Sequence, residues 1–139
     1  AAELGRLAAE VTRGSAMATQ RRQSRGTLLG AAWEVAARYR AHNAYGSESR
    51  ACRALQRRCP GFTARQCQNV FRRAVVLYDE AVALVAQHAD ALWRQMDVAA
   101  DWCLDLGDLV DELRRRCPRF PVWVYRVALG WVFFWHHLK

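Results

Sequence analysis

Four histidines, five cysteines and a late run of acids are the side chains here with chemistry to offer, and their spacing limits what they can do. His42, His88, His136 and His137 fall in no His-Glu-x-x-His or Glu-x-x-His pattern. His88 lies on the apolar side of a helical pattern, where a hydrogen-bonded core histidine is expected before a ligand or a base. His136 and His137 are neighbours in sequence and point apart on a helix. Cys52, Cys59 and Cys67 are separated by six and then seven residues, and Cys103 and Cys117 by thirteen, so none forms the Cys-x-x-Cys pair of a zinc site. An odd count leaves at least one thiol unpaired, which points to idle thiols in a reducing, intracellular compartment, with cytoplasm and organelle both open. Asp97, Asp101, Asp105 and Asp108 recur every three or four residues as a negative ridge, better suited to solvent or facing arginines than to a metal. There is no phosphate loop and no nucleophile elbow. The expectation is a protein without catalytic residues, cofactor or metal.

The elements that carry these residues read as helices. Ala, Leu and Arg dominate, all good helix formers, while eight Gly and three Pro are few for a chain of strands and turns. Over 139 residues, 53% hydrophobic and 24% charged, there is material for a core and no signature of disorder. Leu4, Leu7, Ala8 and Val11 recur at helical spacing and a polar linker follows, so residues 1–26 stand apart from a bundle domain at 27–139. Gly14, Ser15 and Ala16 before Met17 have the look of a cloning junction, which would make residues 1–16 a tag or fused peptide. The acid-free, Arg-rich run from Val11 to Trp33 reads equally as an organelle transit segment.

From Thr27 to Arg40 a stripe of Leu28, Leu29, Ala32, Val35, Ala36 and Tyr39 predicts a helix. A short basic helix follows, begun by Ser47 or Ser49 and stopped by Pro60. Thr63 and Gln66 have the spacing of a capping box, with Phe62 placed to staple onto Cys67. The helix they open keeps an apolar face as far as Leu106, about 64 Å at 1.5 Å per residue, so a break is expected near Asp90, which can cap a second helix. Gly107 suits a left-handed helix stop, Asp108 begins the next helix, Pro118 ends it and Pro121 opens the last. The stretches around Pro60 and Pro118, 58 residues apart, share one order: basic helix, Cys-Pro-x-Phe, apolar helix. The Phe is expected to plug each corner.

Charge is laid out in blocks. Residues 1–78 hold 14 Arg against 4 acids, residues 79–112 hold Arg94 against 9 acids, and residues 113–139 hold 5 Arg and Lys139 against none, for a net +8. A basic–acidic–basic order favours pairing between helices, or docking onto a charged partner, over a uniform nucleic-acid face. The Arg clusters at 21–25, 57–58, 72–73 and 114–116 could each serve phosphates. The aromatics, however, sit in apolar runs and do not alternate with Arg, which leaves nucleic acid the least favoured partner.

The 31 residues from Leu55 to Val85, LQRRCPGFTARQCQNVFRRAVVLYDEAVALV, resemble the three-helix CUE ubiquitin-binding fold. Pro60, Phe62, Val70 and the AVALV run with Val82 and Val85 stand at distances compatible with that family's ubiquitin patch. Cys59 takes the place of its Phe, Val85 an end of its double Leu, and no Gly or Asn separates its second helix from its third. The resemblance implies a partner-helix or ubiquitin surface on Pro60, Phe62, Val70, Val82 and Val85.

Val122 to Trp135 is apolar over fourteen residues except for Arg126 and Gly130. A spanning helix needs about 20 apolar residues, and a central Arg is costly, so peripheral membrane contact is the most this stretch allows. A helix greasy nearly all round is surrounded by other helices first and by a partner second. Arg126 would need an acid of the central ridge, or a lipid phosphate, beside it. The chain therefore reads as all-α: a single-domain bundle of five or six helices around an apolar C-terminal helix. Its expected role is a non-catalytic interaction protein, an accessory or scaffold subunit of a larger assembly, at a membrane or away from one. Its expected docking residues are Trp123, Arg126, Trp131, Phe133, Phe134 and Trp135. An adaptor binding a partner helix or ubiquitin is the second reading, and Arg-mediated nucleic-acid binding the third.

Overall fold

The computed structural model describes residues 26–98 and 105–138, apart from the side chains of 96–98 and 138. The segment with Leu4 and Val11, the Met17 junction, Cys103, Asp101 and the side chain of Asp97 fall outside what is described. Within it the chain is an all-α bundle of five helices: α1 over 26–42, α2 Glu48–Arg58, α3 Ala64–Val98, α4 Gly107–Arg116 and α5 Val122–Phe133. A single π-helical turn, Phe134–Leu138, extends α5.

The expected stripe of α1 is buried at Leu28, Ala32, Val35 and Ala36, and burial spreads to Ala31, Trp33 and Ala37. Asn43 (φ 50°) and Gly46 (φ 76°) turn the chain through the left-handed region, and Ser47 then caps α2 by accepting the Arg50 N–H at 3.2 Å. The capping box of α3 is closed in both directions: Gln66 N–H donates to Thr63 Oγ1 at 3.1 Å and Thr63 N–H to Gln66 Oε1 at 2.9 Å.

No break occurs at Asp90. α3 runs unbroken for 35 residues, about 52 Å at 1.5 Å per residue. Residues 86–98 contain neither Gly nor Pro, and the helix keeps partners past Asp90: Leu92 is buried and Trp93 meets Phe133 edge-on at 5.8 Å. His88 is exposed on this helix, not part of the core face. The start of α4 also differs from expectation. Gly107 is its first residue and not a left-handed stop; Asp105, not Asp108, supplies the side chain, accepting the Gly107 N–H at 3.1 Å. Asp105 is held in turn by its own N–H, which donates to Gln95 Oε1 at 2.9 Å.

α3 is the spine, packing against α2, α4 and α5, and α5 also packs against α4. Val124, Tyr125, Ala128, Leu129, Val132 and Phe133 of α5 are buried among them. Around this core run ion pairs between helices: Arg58 of α2 with Glu34 of α1 (2.6 Å), Arg40 of α1 with Asp79 of α3 (2.8 Å), Arg72 of α3 with Glu48 of α2 (2.7 Å), and Arg116 of α4 with Glu80 of α3 (3.0 Å). The segregated charge of the sequence is thus partly spent on matching helices to one another.

The two Cys-Pro-x-Phe corners share their entry and differ in what closes them. Cys59 (φ −129°, ψ 69°) and Cys117 (φ −132°, ψ 77°) bend the chain alike after α2 and α4. At the first corner the Phe62 N–H donates straight to the Cys59 carbonyl at 3.2 Å. At the second the Tyr125 hydroxyl sits between the equivalent groups, donating to the Cys117 carbonyl and accepting the Phe120 N–H at 3.2 Å. This wider turn puts Arg119 in the left-handed region (φ 76°), whereas Gly61, its counterpart, keeps a negative φ. Arg73 of α3 holds the second corner from outside. Its guanidinium donates to the Pro118 and Arg119 carbonyls at 3.2 and 3.3 Å and lies 5.0 Å from the Phe120 ring centre.

Candidate functional site

α5 presents two faces. Inward it is core; outward, Trp123, Val127 and Phe134 lie four and then seven residues apart on one side, 51%, 44% and 56% exposed. Val122 adds to the same end, and a side chain at Gly130, between Val127 and Phe134, would meet nothing within 4 Å. Trp123 also leans on α1: a Cβ placed at Gly30 would lie 2.6 Å from its indole edge, so the absence of one lets the ring approach.

The expected docking residues therefore separate. Trp123 and Phe134 are exposed on this face. Arg126 is exposed on α5 as well and makes no ion pair among the described residues, so the expected acid beside it is not found there. Phe133 is buried. Trp131 is half-buried in an aromatic cluster, 6.3 Å from Trp33 and 6.0 Å from Tyr78. Trp135 stacks on Trp131 at 5.5 Å and meets His42 edge-on at 4.4 Å. Val127, which the sequence reading passed over, belongs to the exposed set; the i, i+4 step from Trp123 was the signal that could have found it.

In the π-helical turn His136 reaches the bundle, where its Nε2 and the Tyr78 hydroxyl share a hydrogen bond at 2.7 Å. Burial, then the neighbouring His137, lowers the His136 pKa below its usual 6.5, while burial and then Asp79 push the Tyr78 phenol up, so both shifts favour the neutral form. Cys52, Cys59, Cys67 and Cys117 are free thiols whose pKa values burial raises, leaving them weak nucleophiles. Among the described residues no three His, Cys, Asp or Glu gather as a metal site, and no helix is long and apolar enough to cross a membrane.

The surface implied by the CUE resemblance is not assembled. Pro60 is exposed, Phe62, Val70 and Val82 are half-buried, and Val85 is buried in the core. Because α3 is continuous, Val70 and Val85 lie about 22 Å apart along one axis instead of meeting across two helices. Phe62 and Val70 do share something: a cavity of about 540 Å³ with Leu28, Leu29, Gln66 and Asn69, walled by Arg73 and Arg119. A second cavity of about 420 Å³ shares those two arginines and adds Arg72 and Arg116 above an apolar floor that includes Val76, Pro118 and Phe120.

No family model, curated protein or solved structure matches this chain.

Proposed function

We propose that this chain is a non-catalytic interaction protein, an accessory or scaffold subunit, and that the outer face of α5 is its docking face. The observation that supports this is the exposed row Trp123, Val127 and Phe134 on a helix whose opposite side is fully committed to the core. Solvent-facing positions of a bundle helix are ordinarily polar. Here, Arg126 apart, they are large and apolar, and aromatic residues in such rows dominate interface energetics. Arg126 beside them supplies a charge for orientation.

Val127→Asp tests the reading, because position 127 is 44% exposed and the change leaves the core alone. Isolated from its own cells, the native chain should sediment well above its 15.9 kDa, and the variant should return to the monomer size with unchanged helicity and unfolding midpoint. A native chain that sediments as a monomer, or a variant that keeps its company, would remove the α5 face from consideration.

A further inference from the structure

The second Cys-Pro-x-Phe corner builds a feature that neither the α5 face nor the core explains. The two cavities that meet at Arg73 and Arg119 bring together four guanidiniums from α3, the end of α4 and the corner, residues scattered from 72 to 119 in sequence. No Asp or Glu lines either cavity. The carboxylates that pair with Arg72 and Arg116, on Glu48, Glu80 and Glu112, lie outside the lining. Arg119 has no ion pair among the described residues, and Arg73 spends its bonds there on two backbone carbonyls, leaving guanidinium N–H groups unspent. The remaining surface is apolar on one side, with Phe62 and Val70, and carries the amides of Gln66 and Asn69, which can pair with a peptide backbone.

From this juxtaposition we infer that the groove between α3 and the second corner binds an acidic peptide segment of a partner protein, with a carboxylate on Arg73 and Arg119 and an adjacent bulky apolar side chain in the Phe62–Val70 cavity. Charge complementarity names the occupant: planar guanidiniums suit carboxylates two-pronged, and an acid-free basic wall repels basic segments. Nucleic acid fits less well. The groove offers no row of exposed rings for successive bases: Phe120 is buried with the Arg73 guanidinium over it at 5.0 Å, and Phe62 is half-buried.

The test is to pan a random dodecapeptide phage library on the full chain, then titrate the enriched peptides, fluorescein-labelled, alongside a labelled twelve-nucleotide oligothymidine. Enrichment of Asp and Glu beside Phe, Leu or Trp is expected, with binding that weakens as salt rises. Two variants read the site without touching the core. Arg119→Gly removes one guanidinium at a left-handed position that Gly accepts without strain, and Val76→Glu puts a carboxylate at a 51% exposed position on the cavity floor. Each should weaken peptide binding about tenfold or more, as expected for loss or repulsion of a charge-assisted contact, while far-ultraviolet circular dichroism stays unchanged. No acidic enrichment, or equal peptide affinity in both variants, overturns the proposal. So does oligothymidine binding that both variants abolish while peptides do not bind, since that would assign the groove to phosphates.

Discussion

At the scale of single residues, a few side chains close gaps that the backbone leaves open. Tyr125 is the clearest: fully buried, its hydroxyl serves both the Cys117 carbonyl and the Phe120 N–H. Tyr125→Phe keeps the packing and orphans two backbone groups, so we expect a loss of roughly 1–3 kcal/mol in urea unfolding with no change in helix content. Cys67, the residue 58 positions earlier, has no such duty, because the first corner closes on itself. His136 supplies a pH dependence. Its pKa is lowered in the folded chain, so the unfolded chain takes up the proton first. Stability is complete above the unfolded value of about 6.5 and falls as pH drops from there toward the folded pKa. Unfolding midpoints measured from pH 7.5 to pH 5 should show this step, and His136→Gln, which cannot be protonated in that range, should flatten it.

Among the elements, α3 shows how local signals and packing divide the work. Its start is written in four residues, and Thr63→Ala should cost about 1 kcal/mol by opening one half of the capping box, measurable as a lowered urea midpoint. Its length was not written locally. The argument for a break at Asp90 rested on a 64 Å rod being too long for a small domain, and that argument fails because Phe133, at the end of α5, gives the far turns a partner in Trp93. His88 moved to the exposed side for a related reason: only the tertiary arrangement says which flank of a long helix is covered at each level. α5 likewise carries an apolar surface all round, and its own sequence does not say which half is core.

For the whole molecule, the balance of terms is set by burial, not by charge. The inter-helix ion pairs have side chains roughly 31–61% exposed, and pairs of that kind contribute about 0–1 kcal/mol each. They set which helix lies against which more than they hold the bundle together. α5, by contrast, buries five large side chains and Ala128, worth roughly 1.5–3 kcal/mol for each large one, which rivals the 5–15 kcal/mol net stability of a whole domain. Deleting residues 119–139 should therefore abolish cooperative unfolding altogether. The measurement is calorimetric: a surviving unfolding endotherm in the truncated chain would show that α5 is an appendage and not a wall of the core.

What the sequence determined by itself is whatever depends on neighbours within a few residues. The all-α class, the Ser47 cap, the Thr63–Gln66 box, the stops at Pro60 and Pro118 and the apolarity of the tail all arise from local hydrogen-bonding and helical periodicity. What only the tertiary structure decided depends on residues far apart in the chain. It sorted the six expected docking residues of the tail into buried Phe133, half-buried Trp131 and Trp135, and exposed Trp123, Arg126 and Phe134, because exposure is a property of what packs opposite. It likewise drew Arg72, Arg73, Arg116 and Arg119 around one groove, which no spacing in the sequence announces. It also put a tyrosine hydroxyl, not a glycine, in charge of the second corner, since a buried turn must satisfy its backbone groups with whatever side chain the facing helix turn brings within reach.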